Sequence, residues 1–268
     1  MTPANEAGLR LVLPAASLTW RELQRFVRQR SRIIGALGTP IIFWVLIGAG
    51  LGRSFTTESI TGDVSYLEYF FPGTLALILL FTAIFSTISV IEDRHEGFLQ
   101  SVLVAPVGRM SIALGKILGS TALAVIQGFL FLVFAPLVGI HISLWQLGEL
   151  AVVITLLSFA LSGLGFLVAW RLDSVQGFHS VMNLLLIPMW LLSGALFPAS
   201  GASPWLRFLL VINPLTYGVA ALRHTLYPAA MIAPGHLPGL GVSLFVTTAF
   251  GLAMFVAGSL LVARSESK

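Results

Sequence analysis

The sequence contains no cysteine. That excludes a disulfide framework, thiol catalysis and a cysteine metal site. Charge is also scarce. Only 10% of the 268 residues are Asp, Glu, Lys or Arg, and 57% are hydrophobic, whereas a soluble domain is about 25% charged. With mean hydropathy +0.94, the chain reads as an all-α, polytopic membrane protein. Its apolar runs are too long and uniform for the alternating strands of a barrel. The first run starts too late, and is too long, for a cleavable signal peptide.

Several chemical motifs are missing as well. A phosphate-binding loop needs GxxxxGK[ST], so that glycine amides cradle phosphate. The one Gly-Lys pair is Gly115-Lys116, with Met110 at the first glycine position and Ile117 at the Ser/Thr position. The chain is therefore not expected to bind nucleotide or to be an enzyme. Nothing in it points to nucleic acid. Ala160-Leu161-Ser162-Gly163 and Leu191-Leu192-Ser193-Gly194 both lack the first glycine of an intramembrane serine protease motif. The histidines are scattered. His179, Met182 and Met189 share a face of one apolar run, and Met is a soft Cu(I) ligand. The plainer reading is a helix-end histidine and two core methionines, so no metal or cofactor is expected. The spans show no paired carboxylates and no buried ion chain, which argues against a proton- or sodium-coupled transporter.

What is present is a series of apolar runs, about six of spanning length, since roughly 20 residues of helix cross about 30 Å. They lie near 33–52, 67–91, 111–140, 147–170, 178–197 and 240–263. Gly48 with Gly52, and Gly115 with Gly119, have the spacing of close helix packing. Lys116 is expected to snorkel to the headgroups. Residues 1–32 read as a lead-in and an amphipathic interfacial helix, and 33–268 as the membrane domain. In that first helix Ser17 or Thr19 is the expected cap. Leu18, Leu23, Phe26 and Val27 lie near one face and Arg21, Arg25, Arg28 and Arg32 mostly on the other, so membrane lipid is its expected contact. Between the fifth and sixth runs, prolines break the chain into two short amphipathic pieces, 205–212 and 215–226, expected to be re-entrant or surface-lying.

The chain is organised around Glu92, Asp93, Arg94, His95 and Glu96, followed by Gly97, Phe98 and Leu99. Each charge at the centre of a bilayer would cost about 2.5–3.5 kcal/mol or more. The cluster is therefore expected in water, as an elbow that meets a soluble partner. Gly97 would permit the turn, and Phe98 and Leu99 would be the apolar anchors in a groove of that partner. Placing the N-terminus inside puts 12 of the 15 Lys and Arg residues on inner segments and leaves Arg53, Arg207 and Arg223 outside. Both termini and the elbow are then cytoplasmic. Gln127 and Asn183 are the uncharged polar residues inside long runs, as helix glue or as the lining of a path.

The text Glu92-Asp93-Arg94-His95-Glu96-Gly97-Phe98-Leu99-Gln100, then Val104-Ala105-Pro106-Val107-Gly108-Arg109, resembles the cytoplasmic segment of ABC-2 type exporter permeases. Leu192-Ser193-Gly194-Ala195-Leu196-Phe197-Pro198 and Ile212-Asn213-Pro214-Leu215-Thr216-Tyr217-Gly218 also match in order. Phe98, where the family often has Thr, and Asp93, in place of a basic residue, depart from it. The resemblance implies a permease in the bacterial inner membrane that exports a drug, lipid or polysaccharide. It implies a separate ABC ATP-binding subunit, and a homodimer or a similar permease as second partner. It makes residues 92–99 the ATPase-coupling element, and has the first and fifth spans meet across the dimer and line the path. Gln127, Met182, Asn183 and Met189 are the path or seam candidates. The rival reading is a non-transporting scaffold or assembly factor, for example in copper or respiratory-oxidase maturation.

The topology is testable because no native cysteine interferes. Single cysteines at Ser101 and Ser174 should be closed to an impermeant reagent in intact cells, and those at Ser59 and Ser203 should react. Labelling of Ser101 from outside would refute the orientation.

Overall fold

The computed structural model describes residues 3–28, 30–51, 65–104, 108–196, 203–227 and 238–264. Gly52, the polar segment before Ser65, Pro106, Phe197 with Pro198, and the side chains of Val27 and Arg32 lie outside the described residues. Every described element is helical. In chain order they are α1 (Pro3–Arg28), α2 (Arg30–Leu51), α3 (Tyr66–Ser86), α4 (Ile88–His95), α5 (Phe98–Val104) and α6 (Arg109–Leu132). After a 3-10 turn at Ala135–Val138 come α7 (Leu144–Arg171), α8 (Val175–Leu191), α9 (Pro204–Ile212), α10 (Pro214–Leu226) and α11 (Leu240–Arg264).

Four of these helices are long and apolar enough to cross a membrane: Tyr66–His95, α6, α7 and α11. The pair α9 and α10, bent by 83°, makes a fifth if it is one broken span. The expected first span is matched by the 22 residues of α2, whereas the expected fifth is a shorter apolar helix, Val175–Leu191. The 17 residues of α8 reach about 26 Å, the lower end of a spanning length. The third run ends at Leu132 because Pro136 and the left-handed Gly139 (φ 85°) break the helix.

Helix α3 is the hub, packed by α2, α6, α7 and α10. The apolar window of Tyr66–His95 is 89% buried, against 17% for α11, which lies at the margin. The break at Thr87 is slight. Its backbone stays helical, its N–H donates to Ile84 O, and α4 continues the span. The charged elbow therefore rides on the end of a long buried helix, not on a loop.

At the opposite end, side chains close the exposed backbone. Pro72 has no N–H, so the carbonyl of Glu68 lacks its helical donor; the Tyr227 hydroxyl donates to it at 2.5 Å. Trp190 donates to Gly73 O at 2.8 Å. Asn213 donates from Nδ2 to Met189 O (2.6 Å) and Leu192 O (2.9 Å), and its Oδ1 caps α10 at Leu215 N (3.0 Å). This one side chain joins the sequence motifs at 192–196 and 212–218.

Helix α1 corrects two expectations. It starts at Pro3, so Ser17 and Thr19 are not caps; their hydroxyls donate back to Leu13 O and Ala15 O. Its apolar face is not wholly free for headgroups either. Ala15, Leu18 and Phe26 are buried, and α1 packs on α6. The two helices approach over Gly115 and Gly119, where an added Cβ would fall 2.8 Å from Leu18 Cβ and 2.8 Å from Glu22 Cβ. Trp20, 62% exposed, is left on the outer side.

This seam yields a test. Gly115→Val collides with the backbone of Ala15, 2.9 Å from its O, and should cost about 1–3 kcal/mol as overpacking. Gly148→Ala, with nothing within 4 Å of its Cβ, should be neutral or stabilise by about 0.5–1 kcal/mol. Thermal unfolding in detergent separates the two; equal Tm values would contradict the seam.

Candidate functional site

The elbow is tied down by a set of ion pairs that link three helices. Asp93, in the last turn of α4, is fully buried. Arg21 of α1 meets it with both terminal nitrogens, Nη1 to Oδ2 at 2.7 Å and Nη2 to Oδ1 at 2.8 Å. This fork is the strong form of a charge-assisted pair. Arg25, one turn further along α1, donates to Oδ1 at 3.1 Å and also reaches Glu92 (3.0 Å) and Glu96 (3.4 Å). From α6, Lys116 donates to Asp93 Oδ2 and to Glu22 Oε1, the latter at 2.5 Å. Glu22 and Lys116 are 5% and 2% exposed. The Asp93 hydrogen bond also raises the Arg21 pKa above its usual value, despite partial burial.

The burial decides the energetics. Each lone ion in such a place costs several kcal/mol, so these charges persist only because they meet one another. Two expectations fall here. Lys116 does not snorkel to headgroups, because two carboxylates hold its ammonium inside. A buried ion chain does exist, although its partners come from three distant stretches of sequence.

The second half of the elbow faces the α7–α8 link. Arg94 donates to Trp170 O (2.7 Å), Leu172 O (3.3 Å) and Asp173 Oδ1 (2.7 Å). His95 Nε2 lies 2.7 Å from Asp173 O. Gly97 takes φ 75°, the left-handed turn expected of it, and α5 follows. Phe98 lies under the Arg21 guanidinium, 3.7 Å from its ring centre. Leu99 is 3% exposed, so it anchors the elbow to this chain and is not free to enter a partner. The outward surface is instead His95, Glu96, Gln100, Ser101 and Val104.

The four path or seam candidates separate. Gln127 is buried between α6 and α3, accepting from Thr82, which is helix glue. Met182 is fully buried in the core, Met189 is half-buried, and Asn183 is exposed on the other side of α8. Met182 and Asn183 thus do not share a face. Beside them, α2, α3 and α8, with Phe26 of α1 and Ile88 of α4, wall a partly open cavity of about 680 Å³, lined by Thr39, Phe43, Phe81, Phe85, His179 and Trp190 among others. Phe43 of α2 meets Trp190 of α8 at 6.0 Å.

Reasoning from sequence missed Glu22 and Lys116, and it turned Arg21 and Arg25 towards lipid. The available signal was Lys116 itself, a lone cation inside an apolar run beside the small residues Gly115 and Gly119. Arg223, which enters the charge count only as a residue of an outer segment, was missed as well. It is buried, donates to Gly194 O at 2.8 Å, and lies 4.3 Å over the Tyr69 ring.

The architecture is that of a multi-pass helical membrane protein, and kinship makes it a transport permease. The chain belongs to the ABC-2 type transporter family, whose model matches residues 15–227. The match thus begins at Ala15, which packs against Gly115, and ends at Tyr227, which closes on Glu68. The chain is 28% identical over 201 residues to a protein of Cyanophora paradoxa named as a transport permease, ycf38, covering 73% of this chain and 68% of the other. It is 28% identical over 223 residues to nodulation protein J of Rhizobium leguminosarum bv. viciae, covering 80% and 84%. It is 20% identical over 236 residues to the daunorubicin resistance ABC transporter permease protein DrrB1 of Streptomyces coeruleorubidus, covering 85% and 80%.

The ion pairs predict a non-additive result. Lys116→Met leaves Glu22 and Asp93 buried without their shared cation and should destabilise by about 3–5 kcal/mol. Adding Glu22→Leu removes one orphaned charge and should recover about 1–3 kcal/mol as coupling energy. Additive losses in unfolding measurements would show that the pair is not coupled.

Proposed function

We propose that the chain is the permease subunit of an ATP-driven exporter. The observation that carries this reading is the anchored elbow. Ion pairs fix it to α1 and α6, and the α7–α8 link holds its other side, so a force on its outer surface reaches the membrane helices. A separate ABC ATP-binding subunit supplies that force and hydrolyses the ATP. Residues 92–99 act as the coupling element, with His95 and Glu96 towards the partner and Asp93 and Leu99 towards the membrane domain. The surface continues onto Gln100, Ser101 and Val104.

Two copies of this chain, or this chain and a similar one, pair in the bacterial inner membrane. Both termini face the cytoplasm, as the Lys and Arg asymmetry favours. Residues 1–32 form the cytoplasmic lead-in and 33–268 the membrane domain. Helices α2 and α8 line the path, with Asn183 and Met189 at or near the seam. The substrate is amphipathic: a drug, a lipid or a polysaccharide. The aromatic cavity beside α8 supports an apolar body on that substrate. The drug in the Streptomyces relative's name is consistent with it.

The test is capture and reconstitution. The wild-type chain should co-purify an ATP-binding subunit from native membranes and raise its ATP hydrolysis in proteoliposomes. Val104 is 88% exposed. Val104→Asp should therefore leave Tm unchanged while weakening capture about tenfold or more. If the chain purifies from native membranes with no ATP-binding subunit, the reading is wrong.

A further inference from the structure

Arg94 stands where the elbow, the end of α7 and the start of α8 converge. The last carbonyls of a helix have no helical donors, and a cation is favoured beside them. Arg94 meets both demands at the end of α7. Its Nη2 donates to Trp170 O at 2.7 Å, its Nη1 to Leu172 O at 3.3 Å, and the guanidinium lies 5.7 Å over the Trp170 ring. The same Nη1 pairs with Asp173 Oδ1 at 2.7 Å, and neighbouring His95 contacts Asp173 O at 2.7 Å. The next residue, Ser174, is the cap of α8, its Oγ accepting from Gly177 N at 3.2 Å. The linker that starts α8 is therefore bonded to the elbow at several points.

What lies beyond the linker gives the arrangement its meaning. Helix α7 is wedged among α3, α6, α10 and α11, whereas α8 packs chiefly on α3 and α4. Helix α8 also walls the cavity through His179, Ile187 and Trp190, and its Leu184 is 79% exposed. It is the long helix with least to hold it, and it forms one wall of the cavity. A rigid bond at its first residues would set its position.

We propose that Arg94 is a positioning residue for transport: it locks the elbow to the Leu172–Ser174 linker, so that displacement of the elbow is delivered to α8. The proposal rests on the reading of the elbow as a coupling element. It assigns Arg94 and Asp173 to transmission rather than to binding the ATP-binding subunit. Arg94→Gln should therefore keep the partner bound and lose the response of α8. Asp173 is 88% exposed, so Asp173→Asn should fold normally and weaken the response partially. Arg94→Lys keeps the pair with Asp173 but lacks the fork that spans three acceptors, and should also give a partial response.

The test uses the full chain with its co-purified ATP-binding subunit in nanodiscs, spin-labelled at single introduced cysteines. Ser101 on α5 reports the elbow and Ser180 on α8 reports the path helix; both are exposed. In the wild type, a non-hydrolysed ATP analogue should change the label spectrum at both positions. In Arg94→Gln, the change at Ser101 should persist and that at Ser180 should fall by more than half. Arg109→Gln is the control. It breaks a bond to Ala263 O at 3.0 Å on the same face and should leave both changes intact. The joint is refuted if Ser180 responds fully in Arg94→Gln, if it is silent in a wild type whose Ser101 responds, or if Arg109→Gln abolishes the Ser180 change equally. If neither label responds in the wild type, the ATP-driven reading falls, and the joint with it.

Discussion

The neutralisation of one buried carboxylate, Asp93, is the constraint from which the charged end of the molecule follows. Three cations from two separate helices converge on it, Arg21 and Arg25 from α1 and Lys116 from α6. None of these four groups could be buried or held there alone. Packing brings them together: glycines at 115 and 119 let α1 lie close on α6, so Lys116 reaches both Glu22 and Asp93. The charge pairing and the close helix contact are thus mutually dependent. The same pairing turns Arg21 over Phe98 and so sets the direction in which α5 leaves the elbow.

The opposite end obeys the same logic without ion pairs. Prolines and helix ends leave carbonyls without donors, and side chains supply them: Tyr227 to Glu68, Asn213 to Met189 and Leu192, Arg223 to Gly194. Between the two ends, α3 is buried on nearly every side and gives both a common frame. Helix α8 is held at its start by the Arg94 linker and at its finish by Asn213 and Trp190, with the aromatic cavity along its flank.

Much of this was legible in the sequence, for identifiable reasons. Hydropathy gives the helical membrane class because lipid admits few alternatives. Gly97 marked a turn and takes positive φ, and the Asn213-Pro214 break marked the bend between α9 and α10. Lengths of spans were less legible, since Pro136 and Gly139 end a helix inside an unbroken apolar run. The fate of the charges was not legible at all. Asp93 and Glu96 are three residues apart in one cluster, yet one is fully buried and the other is exposed. That difference comes from residues about 70 positions upstream, and sequence spacing does not report it. Lys116 has the same cause: an isolated cation reads as snorkelling until a distant carboxylate is placed beside it.

The central claim is that Asp93 fastens the elbow and α1 in one unit. Amide hydrogen exchange of the purified chain tests it directly, comparing wild type with Asp93→Asn. The claim predicts slow exchange of 91–95 in the wild type. In the variant, exchange should quicken together across 91–104 and 18–26, since one carboxylate holds both. Rapid exchange of 91–95 in the wild type, or quickening confined to the elbow while α1 stays protected, would contradict it.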